Sequence, residues 1–112
     1  MADVGRKMAW ALAAATVLAA GCGASNRLFR GDDVARGQRL FSTHGCNGCH
    51  TVGVVGTPLG PDLTGIGQRH SRDYFERWLR DPASLQPTAH MPRLDLPRDD
   101  IRPLSAYLAS LR

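Results

Sequence analysis

The run Cys46-Asn47-Gly48-Cys49-His50 constrains this 112-residue chain more than any other feature. Two thiols three positions apart, followed at once by an imidazole, match the C-x-x-C-H arrangement through which a c-type haem is attached. The spacing has a physical reason. Both sulfurs reach the two vinyl groups of one macrocycle, and the adjacent histidine stands beneath the iron as its proximal ligand. Two other chemistries use paired cysteines. A structural zinc site takes four Cys or His ligands, usually in two spaced pairs, and here a second pair is missing unless His44, His70 and His90 are stretched to serve. A dithiol redox motif belongs between a strand and a helix of a βαβ unit, a pattern this glycine-rich chain lacks. One covalent haem c, held by Cys46 and Cys49, is the expected cofactor, with zinc and dithiol chemistry as the alternatives.

A second axial ligand has few candidates. Met1 and Met8 fall in a segment that reads as targeting information, which leaves Met91. Its setting, Pro87-Thr88-Ala89-His90-Met91-Pro92-Arg93, is a proline-bracketed polar loop rather than a helix face, which favours ligation over the filling of a gap in a core. The expected metal ligands are therefore His50 and Met91, with His90 second in line for the distal place. His44 and His70 are expected to be surface or loop residues.

The targeting segment has Arg6-Lys7 as a positive start, an apolar run from Met8 to Ala20, and small residues at its end. The run is shorter than the ~20 apolar residues a bilayer crossing needs. Ala19-Ala20-Gly21-Cys22 resembles a bacterial lipobox, with the usual leucine one place early at Leu18, so lipidation of Cys22 is expected. The division that follows is a lipoprotein-type signal peptide over 1–21, a tether over 22–31 and a domain over 32–112. Such a protein is exported and held on a bacterial membrane, facing the periplasm or the cell exterior, or is soluble in the periplasm if Cys22 is left unmodified. Hydrophobic residues at 43% and charged residues at 21% exclude both a disordered chain and a multi-span membrane protein. A net charge of +4 without a basic stripe makes no case for nucleic acid.

Helical spacing is visible at both ends of the domain. Asp32-Asp33 offers an N-cap, and Val34, Gly37, Leu40 and Phe41 recur at near-helical intervals. Gly37 lowers helix propensity by about 1 kcal/mol relative to Ala, which points to another backbone in close approach. Leu104, Tyr107, Leu108 and Leu111 form the stripe of a C-terminal helix suited to cross the first at Gly37 and Phe41, starting near Asp99-Asp100 so that Pro103 lies in its first turn. Ser71 can cap a short helix that puts Phe75, Trp78 and Leu79 on one face and ends at Asp81-Pro82. The long stretch from Thr51 to His70 is expected to line the haem.

These residues together resemble the class I c-type cytochromes over essentially all of Asp32–Arg112. Gly37 and Phe41 stand before the haem motif as in that family's N-terminal helix, Gly60-Pro61-Asp62-Leu63 follows it, Met91-Pro92 supplies the distal element, and Leu104–Leu108 matches the C-terminal helix. Trp78-Leu79-Arg80-Asp81-Pro82 followed by Met91-Pro92 is similar to the cytochrome c domain fused to subunit II of haem-copper oxidases. The resemblance implies an all-α cytochrome c fold, with three or more short helices around one haem and the terminal helices crossing. It implies that the Pro61 carbonyl accepts a hydrogen bond from His50 and, by looser analogy, that Arg69 and Trp78 hold a haem propionate. The implied function is electron transfer rather than enzymatic catalysis, by a monomer shuttling electrons in a bacterial respiratory chain. Its partners would be a quinol-oxidising complex, a terminal oxidase or another reductase. A haem-based gas sensor or peroxidase with a labile distal ligand is the alternative.

Overall fold

The computed structural model describes the backbone of residues 21–112 and the side chains of residues 31–112. The predicted signal segment therefore lies, but for Gly21, outside the described residues, as does the Cys22 side chain. Apart from one small hairpin, the regular structure of the described residues is helical, with loops between the elements. Helix α1 spans Gly21–Thr43, α2 Arg72–Arg80, α3 Pro82–Leu85 and α4 Arg98–Ser110. Strands β1, Thr51–Val52, and β2, Val55–Gly56, pair antiparallel between the haem-type motif and α2. Among the described residues no helix is long and apolar enough to cross a membrane.

Crossing of α1 and α4 is the central packing event. At the contact a β-carbon on Gly37 would run into the Pro103 carbonyl and lie 2.7 Å from Tyr107 Cβ, so only glycine lets the two backbones meet. One turn on, Phe41 packs edge-on against Tyr107, with ring centroids 5.5 Å apart. Helix α4 is buried at Ile101 and from Pro103 to Leu108, on more than one face, because α1 covers one side and α2 lies against another. The fully buried Ser105 hydroxyl is satisfied within the helix, its Oγ donating to the Ile101 carbonyl at 2.7 Å.

Three elements differ from expectation. Helix α1 does not begin at Asp32-Asp33 but runs through them from Gly21, and no proline lies between residues 21 and 43 to stop it. Asp33 then serves as a bridge instead of a cap, with Oδ2 3.3 Å from both Arg72 of α2 and Arg102 of α4. Pro103 sits in the second turn of α4, since the helix opens at Arg98, and the N–H it lacks would have paired with Asp99 in the exposed first turn. The hairpin was not anticipated. Gly53, at φ 61°, occupies the first position of its two-residue turn, and the flanking Thr51, Val52 and Val55 are β-branched.

The short helix α2 follows its sequence signals. Ser71 Oγ accepts the Tyr74 N–H at 3.3 Å, Phe75 and Leu79 are buried, and Asp81-Pro82 ends the helix and begins α3 with proline in its first turn.

Candidate functional site

A cavity of about 220 Å³ opens between the helices, and the predicted site residues gather on its walls. Phe41 of α1 and Leu104 and Leu108 of α4 close the back. Tyr74, Phe75, Trp78 and Leu79 of α2 form one side, and Pro61, Leu63 and Ile66 of the long loop form another. Cys46, His50 and Met91 are the lining groups with sulfur or nitrogen donors suited to a metal or to thioether chemistry, joined by His70 at the edge. The rest of the wall is apolar, as a large flat macrocycle requires.

The motif is positioned by a chain reversal at the end of α1. Gly45, at φ 74°, turns the chain into a single 3-10 turn over Cys46–Gly48, and the His50 N–H then bonds to the Cys46 carbonyl at 2.9 Å. Cys46 is half-buried, and desolvation, the main cause, pushes its thiol above the ordinary value. Cys49 is exposed. Both thiols are free, and the motif follows a helix rather than joining a strand to one, so the context of a dithiol redox site is missing.

His50 is held in one tautomer. Its Nδ1 donates to the Pro61 carbonyl at 2.7 Å, and because a carbonyl only accepts, the proton must be on Nδ1 and the free lone pair on Nε2. Gly60 makes this possible in a way the sequence did not reveal. A β-carbon there would lie 2.8 Å from His50 Cε1 and 3.0 Å from Nδ1, so the ring fits only against bare backbone.

The loop carrying Pro61 is itself tied down. Gly53 N–H donates to Thr64 Oγ1 at 2.9 Å, that hydroxyl donates to Asp62 Oδ1 at 2.6 Å, and Thr64 N–H donates to the same oxygen at 2.9 Å. The Thr64 hydroxyl first, and then its backbone N–H, hold the Asp62 carboxyl below the ordinary carboxylate value. A carboxyl whose folded value is lowered contributes fully above its unfolded value, and the contribution is lost as pH falls through the folded one. The Thr64 amide should therefore be protected from hydrogen exchange at neutral pH and lose that protection only once pH has fallen below the ordinary carboxylate value, through the lowered one. In Asp62→Asn the exchange should no longer show this acid step, and an acid step of unchanged size in Asp62→Asn would disprove the assignment.

Trp78 and Arg69 part company in the structure. The Trp78 indole lines the cavity and its Nε1 donates to Met91 Sδ at 3.1 Å. Arg69 is exposed and absent from the cavity wall. His90 is likewise exposed, while the neighbouring Met91 is half-buried. His44 and His70 are not simple surface residues. His44 Nε2 donates to Asp100 Oδ2 at 2.9 Å, beside an Arg36–Asp100 ion pair, and so joins the end of α1 to the start of α4. His70 stacks on Tyr74 with centroids 3.9 Å apart and lines the cavity. Among the described residues no three His, Cys, Asp or Glu side chains come together, so a zinc site lacks a ligand set.

The chain is similar in sequence to known proteins. The sequence model of the family described as Cytochrome c matches residues 34–112. Cytochrome c oxidase subunit 2 of Alkalihalophilus pseudofirmus is 37% identical over 86 residues, covering 69% of this chain and 25% of that protein. Cytochrome c oxidase subunit 2 of Bacillus sp. (strain PS3) is 31% identical over 100 residues, covering 72% of this chain and 27% of that protein. The chain thus spans about a quarter of the length of these curated relatives.

Proposed function

We propose, because this chain belongs to the cytochrome c family, that it carries electrons through one haem c held by thioethers at Cys46 and Cys49, with His50 and Met91 as the ligands of its iron. The observation that carries the reading is the tautomer of His50. With Nδ1 committed to the Pro61 carbonyl, Nε2 is left with a free lone pair on the wall of an apolar cavity that Met91 also lines. When bound, the haem supplies a one-electron ferric/ferrous couple.

The protein's own residues do the rest. The half-buried Cys46 and exposed Cys49 present their thiols on one short turn, within reach of attachment chemistry. The Pro61 carbonyl orients the imidazole and raises its basicity. Phe41, Phe75, Leu104 and Leu108 exclude water, and that low-dielectric lining together with a methionine ligand favours the ferrous state.

The physiological setting that fits best is a respiratory chain at a bacterial membrane surface. A quinol-oxidising complex would donate and a terminal oxidase would accept; the likeness to oxidase subunit 2 supports the second partner. Lipidation of Cys22 would confine the carrier to a surface, where encounter is two-dimensional and effective concentration rises.

Absorption spectra of the haem-loaded protein test the reading. Low-spin spectra in both oxidation states, a weak near-infrared band in the ferric state and indifference to carbon monoxide are expected. Met91→Ala should abolish the near-infrared band, open the iron to carbon monoxide and lower the potential. An unchanged spectrum in Met91→Ala would transfer the distal role to another group such as His90, and ready carbon monoxide binding by the unsubstituted protein would favour a sensor or peroxidase.

A further inference from the structure

Three aromatic side chains spaced four residues apart stand in a row along the cavity. His70 stacks on Tyr74 at 3.9 Å with planes 11° apart, and Tyr74 stacks on Trp78 at 5.9 Å and 19°. The row ends at Met91, whose sulfur receives the Trp78 N–H at 3.1 Å. An indole has a single N–H and cannot serve two acceptors in line, so the bond to sulfur competes with any bond to a carboxylate on the bound group. Methionine has three rotatable bonds and a soft sulfur with two lone pairs. Left alone, such a side chain samples several positions.

We propose that Trp78, held in place by its stack on Tyr74, is a positioning residue for Met91. It gives its one N–H to a sulfur lone pair, leaves the other directed for ligation, and raises the potential of the bound iron. The inference rests on Met91 being the sixth ligand. Its physical content is twofold. The hydrogen bond fixes the torsions of a flexible ligand, and it withdraws electron density from the sulfur, which weakens donation to ferric iron more than to ferrous iron. Tyr74 and His70 act behind it by limiting rotation of the indole.

Two measurements on the haem-loaded full chain decide the matter. The second tryptophan, Trp10, lies in the expected signal segment over 1–21, so a chain cleaved there has Trp78 as its one indole N–H resonance, and Trp10→Phe gives the same in a chain that keeps the segment. In the ferrous state that proton should exchange with solvent about tenfold more slowly than an unbonded indole, as a typical net hydrogen bond provides. Met91→Leu, which keeps the bulk and removes the acceptor, should abolish the protection; protection that survives it overturns the proposal and assigns the N–H to a propionate or another acceptor. In Trp78→Phe the near-infrared band should move and the potential should fall. A band and a potential both unmoved also overturn the proposal, whereas absence of the band from the unsubstituted protein is failure of the ligand reading itself. If Trp78→Phe does not mature, the exchange measurement stands alone, since it leaves Trp78 in place.

Discussion

Made without attached haem, either in a host lacking the attachment machinery or as Cys46→Ser/Cys49→Ser, the chain should lose most of its far-ultraviolet helical signal and show no cooperative unfolding transition. The size of the effect follows from the cavity. Its walls are the core itself, since Phe41, Phe75, Leu79, Leu104 and Leu108 both line it and make up most of the buried apolar cluster. A cavity of about 220 Å³ would cost at most about 5 kcal/mol as an enclosed void at ~24 cal/mol per Å³, and less where water enters from its open side. Small domains have total stabilities of about 5–15 kcal/mol, and one of this size belongs near the lower end. At that upper bound the deficit is comparable to everything the fold has to spend. What remains to oppose it is the α1–α4 crossing and ion pairs whose side chains are partly exposed, such as Arg36–Asp100, which contribute little each. A haem-free chain with native ellipticity and a sharp thermal transition would show that the helices pack without the group, and would remove the reason for placing it inside.

What could be read from the sequence was what is local or chemically singular. Cys46, Cys49 and His50 announce themselves by spacing, and Met91 by being the one methionine in a proline-bracketed loop. Ser71 could be identified as a cap because its bond to Tyr74 spans three residues. Gly37 stood out as a glycine inside a helical pattern, and the structure supplies the Pro103 carbonyl it avoids.

What escaped was set by contacts between distant segments. Asp33 looked like a helix start because nothing local distinguishes a cap from a residue whose partners, Arg72 and Arg102, lie in other helices. With 14 lysines and arginines in the chain, pattern alone cannot choose between partners. Gly60 stood out only as a member of the run that follows the haem motif, since its need for a bare backbone arises when His50 folds over it. His70 is the loop residue it was read as, but its stack on Tyr74 escaped for the same reason, since it depends on where the loop delivers the ring.

Replacing Gly37 with alanine should lower the stability of the haem-loaded protein by about 2 kcal/mol, against the sign that helix propensity gives. In an exposed helix the change would stabilise by about 1 kcal/mol. Here the new carbon overlaps the Pro103 carbonyl and sits 2.7 Å from Tyr107 Cβ. The atoms it meets are main chain or anchored directly to it, so no side-chain rotation relieves the overlap, and overpacking of this kind costs about 3 kcal/mol at the upper end of its usual range. The helices must separate, and the Phe41–Tyr107 edge contact one turn away opens with them. About 2 kcal/mol in a domain this small lowers the melting temperature by about 8–16 °C. Gly31→Ala in the same helix provides the control, because a β-carbon there meets nothing within 4 Å and should leave stability unchanged or slightly higher. Thermal unfolding of the two variants, followed by circular dichroism, separates packing from propensity. Equal melting temperatures would mean that α1 and α4 do not cross at Gly37.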